Sequence, residues 1–169
     1  MATFDPDYTA PEGLPALLSG LLTTAHERHM DLIALVSDLA AEALEWAPGP
    51  EAAHISGLVM HILEVEEYLA AVASGQDVEW AGTNGSSMDI AVEAPDLVER
   101  VTSVDASLKA ALATIPRGRL DTMQPGGDRT VGSMLMEDLD HSAMHYGQVQ
   151  LTRHLYELAH PEFASGYEH

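Results

Sequence analysis

The chain has 169 residues, the usual size of one domain, and 46% of them are hydrophobic, which excludes a disordered chain. Its 27 acidic residues against 7 basic ones give a formal net charge of −20, a field that repels a phosphate backbone and argues against nucleic acid as a partner. No cysteine is present, so disulfides, thiolate metal ligands and a protein-borne thiol nucleophile are all excluded.

Ala and Leu dominate the apolar content and aromatics are few, a balance that suits packed helices. The expectation is all-α, with one domain over 1–169. Residues 1–13 carry Pro, Gly and Asp and read as an N-terminal arm with no basic and apolar leader. A first helix is predicted from near Leu14 to about Trp46, with Pro15 in its first turn. Leu18, Leu21, Leu22, Ala25, His29, Leu32, Ile33 and Val36 recur along it at helical spacing. The breaker Ala47-Pro48-Gly49-Pro50 closes it.

A second helix begins around Ile55–Ser56 and ends near Ser74-Gly75, with Leu58, Ile62, Val65, Leu69 and Val72 as its buried stripe. The connection that follows, to about Ala94, is longer than a bundle of four antiparallel helices needs, and reads as a crossover or a lid over one end. Pro95 opens a third helix with Asp96 and Glu99 in its first turn; Leu97, Val101, Val104, Leu108 and Leu112 supply its apolar face as far as Ile115-Pro116. Residues 117–129 read as a loop. Thr130 is the N-cap of a last helix over about 130–159, closed by Pro161, and 160–169 form a tail. No apolar run reaches the ~20 residues of a membrane span, and a soluble cytoplasmic protein is the expectation. The scattered carboxylates form no calcium loop and are read as a solubilising surface.

The histidines carry what chemistry the sequence offers. His61 lies between Leu58 and Val65 on the apolar side of the second helix, where a single histidine is more often a hydrogen-bonded core residue than a ligand. His141 and His145 are spaced i, i+4 on the last helix, so both imidazoles point the same way and can share an ion. Nine histidines in 169 residues give about half of one such pair by chance, so the pair draws its weight from its surroundings. Gln148 follows on the same face, and Glu137 and Asp138, one turn before His141, are placed to orient its other ring nitrogen. His26 and His29 read as ordinary helix residues, His54 as a solvent-facing one, and His154 and His160 as residues near the last helix end. Arg153, two turns beyond His145, is on its side and a candidate to meet an anionic substrate or cofactor, with a capping role as the plainer reading.

The last helix, with His141, His145, Gly147 and Gln148 in the pattern HxxxHxGQ, resembles the signature of the DinB-like (DinB/YfiT) superfamily. So does the order upstream: a Trp46-Ala47-Pro48-Gly49 turn, then Ile55-Ser56, then His61 followed by Glu64, Glu66 or Glu67. The resemblance implies an antiparallel four-helix bundle holding zinc, nickel or iron on His61, His141 and His145. It also implies, for several members, chemistry of a low-molecular-weight thiol such as mycothiol or bacillithiol. In mycothiol-linked branches the last helix tends to carry a glutamate before its histidine, or an Arg-His-Ala-Gly-His type of sequence. Here His–His with Tyr146-Gly147-Gln148 sits nearer the general branch.

Three functions follow. In the first, an enzyme activates a small thiol on the metal for S-transfer to an electrophilic small-molecule substrate, with Gln148 or a nearby carboxylate positioning the groups. In the second, a metal-dependent hydrolase uses Glu64 as base. In the third, a metal-binding stress-response bundle performs no turnover. Dimerisation is common in bundles of this kind, although one sequence identifies no interface.

Overall fold

The computed structural model describes residues 8–79, 88, 91–124 and 126–163. The start of the N-terminal arm, most of the expected lid and the end of the C-terminal tail therefore lie outside the described residues. Among the described residues five α-helices form: α1 (Ala16–Val36), α2 (Ala41–Glu45), α3 (Ile55–Ser74), α4 (Ala94–Ala113) and α5 (Val131–Ala159). Single-turn 3₁₀ helices stand at Arg117–Arg119 and Pro161–Phe163, and the described residues contain no β-strand, only an isolated bridge between Met123 and Thr130.

Local chemistry accounts for the ends of these helices. At the start of α3 the ring of His54 accepts the Gly57 N–H through Nδ1 at 3.0 Å, the role usually given to Ser, Thr, Asp or Asn. At its other end Gly75 takes φ 90°, and the N–H groups of Gly75 and Gln76 bond to the carbonyls of Val72 and Ala71, closing the helix as a Schellman motif. Thr130 caps α5, its hydroxyl accepting the Ser133 N–H at 3.2 Å.

One expectation is corrected. The first helix does not run to Trp46 but stops at Val36, and a short α2 follows. The cause is distant in the chain: Arg153 of α5 donates to the Leu35 carbonyl at 2.6 Å and to both oxygens of Asp38 at 2.8 and 3.0 Å. A guanidinium that satisfies a terminal carbonyl and holds Asp38 outside the helix favours a stop at this point.

α3 packs against α4 and α5, and α1 packs against the same two. The buried apolar side chains fall into two clusters, one built on Leu18, Leu22, Ala73, Leu112 and Leu135, the other on Leu32, Ile62, Leu63, Leu97 and Val149. α1 and α5 run from the first cluster to the second, while α3 and α4 run from the second to the first. The bundle is thus antiparallel across α1/α4 and α3/α5, and parallel across α3/α4 and α1/α5. Parallel neighbours in sequence need a connection that returns along the bundle, and this explains the long segment between α3 and α4: Gly75 and Ala94 lie at opposite ends.

Met88, the described residue in the middle of that segment, sits over the start of α3. A Cβ at Gly57 would fall 2.0 Å from the Met88 carbonyl oxygen, so only glycine admits this approach.

Candidate metal centre

Between the two apolar clusters the bundle interior is polar. His29 of α1 is fully buried; its Nε2–H donates to Glu66 Oε2 of α3 at 2.7 Å and its Nδ1–H to Asp105 Oδ1 of α4 at 2.9 Å. Asp105 also accepts from His26 Nδ1 at 3.0 Å, and Tyr8 stacks on the His26 ring with centroids 4.0 Å apart. Glu66 accepts the Ser142 hydroxyl of α5 at 2.9 Å. Burial alone would lower the pKa of His29, but Glu66 and Asp105 outweigh it and raise the value to about 9, so this ring is an imidazolium at neutral pH. Beside it, burial and then the charge of Glu66 push Asp138 up to about 8. The layer sets one buried cation, His29, against the carboxylates of Glu66 and Asp105, with Asp138 protonated beside them.

On the α3/α5 face, against this layer, lie the three histidines. His61 comes from α3 and His141 and His145 from successive turns of α5, with ring centroids 4.5 to 5.0 Å apart. Each ring offers a nitrogen, and these nitrogens all lie within 4.8 Å of one another. The Nε2 atoms of His61 and His141 face each other at 3.1 Å. Nitrogens sharing one tetrahedral ion with bonds of about 2.0–2.1 Å stand roughly 3.4 Å apart, so small ring rotations bring all three onto one centre.

The electrostatics favour neutral rings with free lone pairs at His61 and His141. Burial and then the neighbouring His145 lower the pKa of His61. Burial, His145 and His61 together lower that of His141 to about 4. Neutral imidazoles suit zinc, nickel, iron or copper rather than magnesium or calcium. Among the described residues this is the one cluster of three such side chains close enough to hold an ion.

The surrounding groups sort by contact. Gln148 Oε1 lies 2.7 Å from His145 Nδ1. Since an amide oxygen only accepts, Nδ1 carries the proton and Nε2 is left as the ligating atom. Glu64, one turn after His61 on α3, acts on it as a nearby negative charge. Glu67 is paired with Arg100, and Glu137 with Arg129. Arg153 is buried between Asp38, Glu157 and the Leu35 carbonyl, so its guanidinium ties α5 to the end of α1.

A groove of about 380 Å³ opens beside the centre. Leu58, Met88, Leu151 and Leu155 contribute apolar walls, His145 and Gln148 line it, and Glu51 is its other ionisable group.

The polar layer is not among the features expected from the sequence. Its signal was present at Glu66, a charge four residues after Ile62 on the buried stripe of α3, and in the i, i+3 pair His26 and His29. His54, read as solvent-facing, proves to be the α3 cap.

The geometry agrees with the comparison to known families. The family model described as the DinB superfamily matches residues 24–149, a span that holds His61, His141, His145 and Gln148. No curated protein matches the chain. With helical architecture, three clustered histidines and a match over most of its length, the chain belongs to the DinB superfamily.

Proposed function

We propose that this protein is a divalent-metal-dependent enzyme that activates a small thiol for S-transfer to an electrophilic substrate. The observation that carries the reading is the adjacency of the three-histidine cluster to an apolar groove that His145 itself lines. Three protein ligands are the number found at catalytic sites, which keep a position for substrate, whereas structural sites are closed by four. Zinc, nickel or iron held by His61, His141 and His145 would supply a Lewis acid that favours a thiolate at neutral pH.

The chain's own residues do the rest. Gln148 fixes the tautomer of His145. The groove would seat the electrophile against Leu58, Met88, Leu151 and Leu155. With no cysteine in the chain, the sulfur comes from a diffusible thiol; mycothiol and bacillithiol are the classes that family membership suggests. In the transfer the thiol S–H loses its proton and a C–S bond forms at the electrophilic carbon. The bond to the leaving group breaks, and that group departs with the electron pair. Glu64, whose charge acts on His61, would take the thiol proton.

The same position of Glu64 favours a second reading, metal-dependent hydrolysis with Glu64 as base toward water. Elemental analysis of protein purified without a histidine tag, followed by a screen of electrophiles with and without added thiol, separates the two. Product that forms only with thiol supports transfer; turnover in water alone supports hydrolysis. Absence of stoichiometric metal overturns both.

A further inference from the structure

Among the described residues two buried side-chain atoms have no hydrogen-bond partner, Asp138 Oδ1 and His141 Nδ1. They belong to the same face of α5, three residues and so about one turn apart. They are also complementary. His141 turns its Nε2 toward His61, so the tautomer that leaves this nitrogen free as a ligand puts the proton on Nδ1. A ring N–H buried there needs an acceptor, and Asp138 Oδ1 is an acceptor buried there without a donor.

The other acidic or hydroxyl groups near His141 on α5 are committed or turned away. Glu137 pairs with Arg129, Asp140 is exposed, and the Ser142 hydroxyl donates to Glu66. The neighbouring ligand shows the pattern completed: His145 gives its Nδ1–H to Gln148, one turn along.

We propose that Asp138 is the positioning residue of His141, its carboxyl oxygen taking the Nδ1–H directly or across one bridging water. The carbonyl oxygen of the carboxyl accepts in either protonation state, so the role does not depend on charge. Because Asp138 also lies beside Glu66, it joins the ligand set to the buried layer that runs through His29 to Asp105. The inference rests on the metal reading above.

The test is binding of Co²⁺ alone, measured by chelator competition, together with ¹⁵N imidazole NMR of the zinc-loaded wild-type protein. Asp138→Ala should weaken Co²⁺ binding by about 10–100-fold. Asp138→Asn, which keeps a carbonyl oxygen, should restore it to within a few-fold. Asp140→Ala, which removes a carboxylate from an exposed neighbour, should leave it unchanged. In the NMR spectrum His141 should carry a slowly exchanging proton on Nδ1. Undiminished affinity in a folded Asp138→Ala protein overturns the assignment, as does an equal loss in Asp140→Ala, which would make the effect one of distant charge. An Nε2–H tautomer at His141 overturns it even where Asp138→Ala does not fold. A wild-type protein that binds no Co²⁺ removes the metal reading itself.

Discussion

His29 and Glu66 meet in the middle of the bundle at 2.7 Å, the ring wholly buried and the carboxylate almost so. The ring is faced by Glu66 from α3, Asp105 from α4 and Asp138 from α5, with His26 on its own helix. Replacing such a charged cluster by apolar residues is often neutral or favourable in other proteins. Here the cluster ties α1, α3, α4 and α5 together at one level of the bundle.

It also sets a pH dependence. The folded protein keeps the His29 proton to about pH 9, whereas an unfolded histidine releases it near 6.5. The stabilisation is therefore complete below 6.5 and lost as pH rises through 9, leaving Glu66 and Asp105 with no buried cation between them. Denaturant titrations of the metal-free protein should show stability falling by on the order of a few kcal/mol over this window. The fall should be smaller in His29→Gln, which keeps only the part due to the Asp138 carboxyl, itself raised to about 8. Wild-type stability that is flat or rises between pH 6.5 and 9 contradicts the assignment.

The ligand set is open to direct test. His61→Ala, His141→Ala and His145→Ala should each abolish stoichiometric metal, and His154→Ala, on an exposed part of α5, should not. Metal should raise the melting temperature of the wild-type protein and of His154→Ala only. Full metal content in His61→Ala would sink the three-histidine site.

What the sequence disclosed about this site was local or pairwise along one helix. The boundaries of the second helix were readable because Gly75 ends it with its own backbone, and His141 and His145 because a helix repeats every turn. The partners of His29 were not readable, since Glu66 and Asp105 reach it from other helices. The stop at Val36 was hidden for the same reason: the group that takes the Leu35 carbonyl is Arg153, on the last helix. The long connection was legible as excess chain, and its cause, the parallel course of α3 and α4, follows only from which cores they share.

Gly57 gives a prediction about that connection. An alanine there would drive its Cβ into the Met88 carbonyl, and backbone cannot yield as a flexible side chain does. Gly57→Ala should destabilise the fold by about 1–3 kcal/mol, as overpacking typically does, although alanine is the better helix former. Chemical denaturation checks it; a gain in stability would mean that Met88 does not approach α3 closely in solution.

Gln148 separates positioning from ligation. Its oxygen takes the His145 Nδ1–H at 2.7 Å, so its loss should loosen the ring without removing a ligand. Gln148→Ala should keep stoichiometric metal at high concentration but weaken affinity by about 10–100-fold, the usual effect of removing such a partner. Gln148→Glu, which retains an acceptor at the same reach, should bind close to wild type. Were Gln148 instead a group that acts only on substrate, both variants would hold metal as tightly as wild type and lose turnover alone. Measuring metal affinity beside kcat/KM in the two variants therefore decides which of its neighbours, His145 or the occupant of the groove, the amide serves.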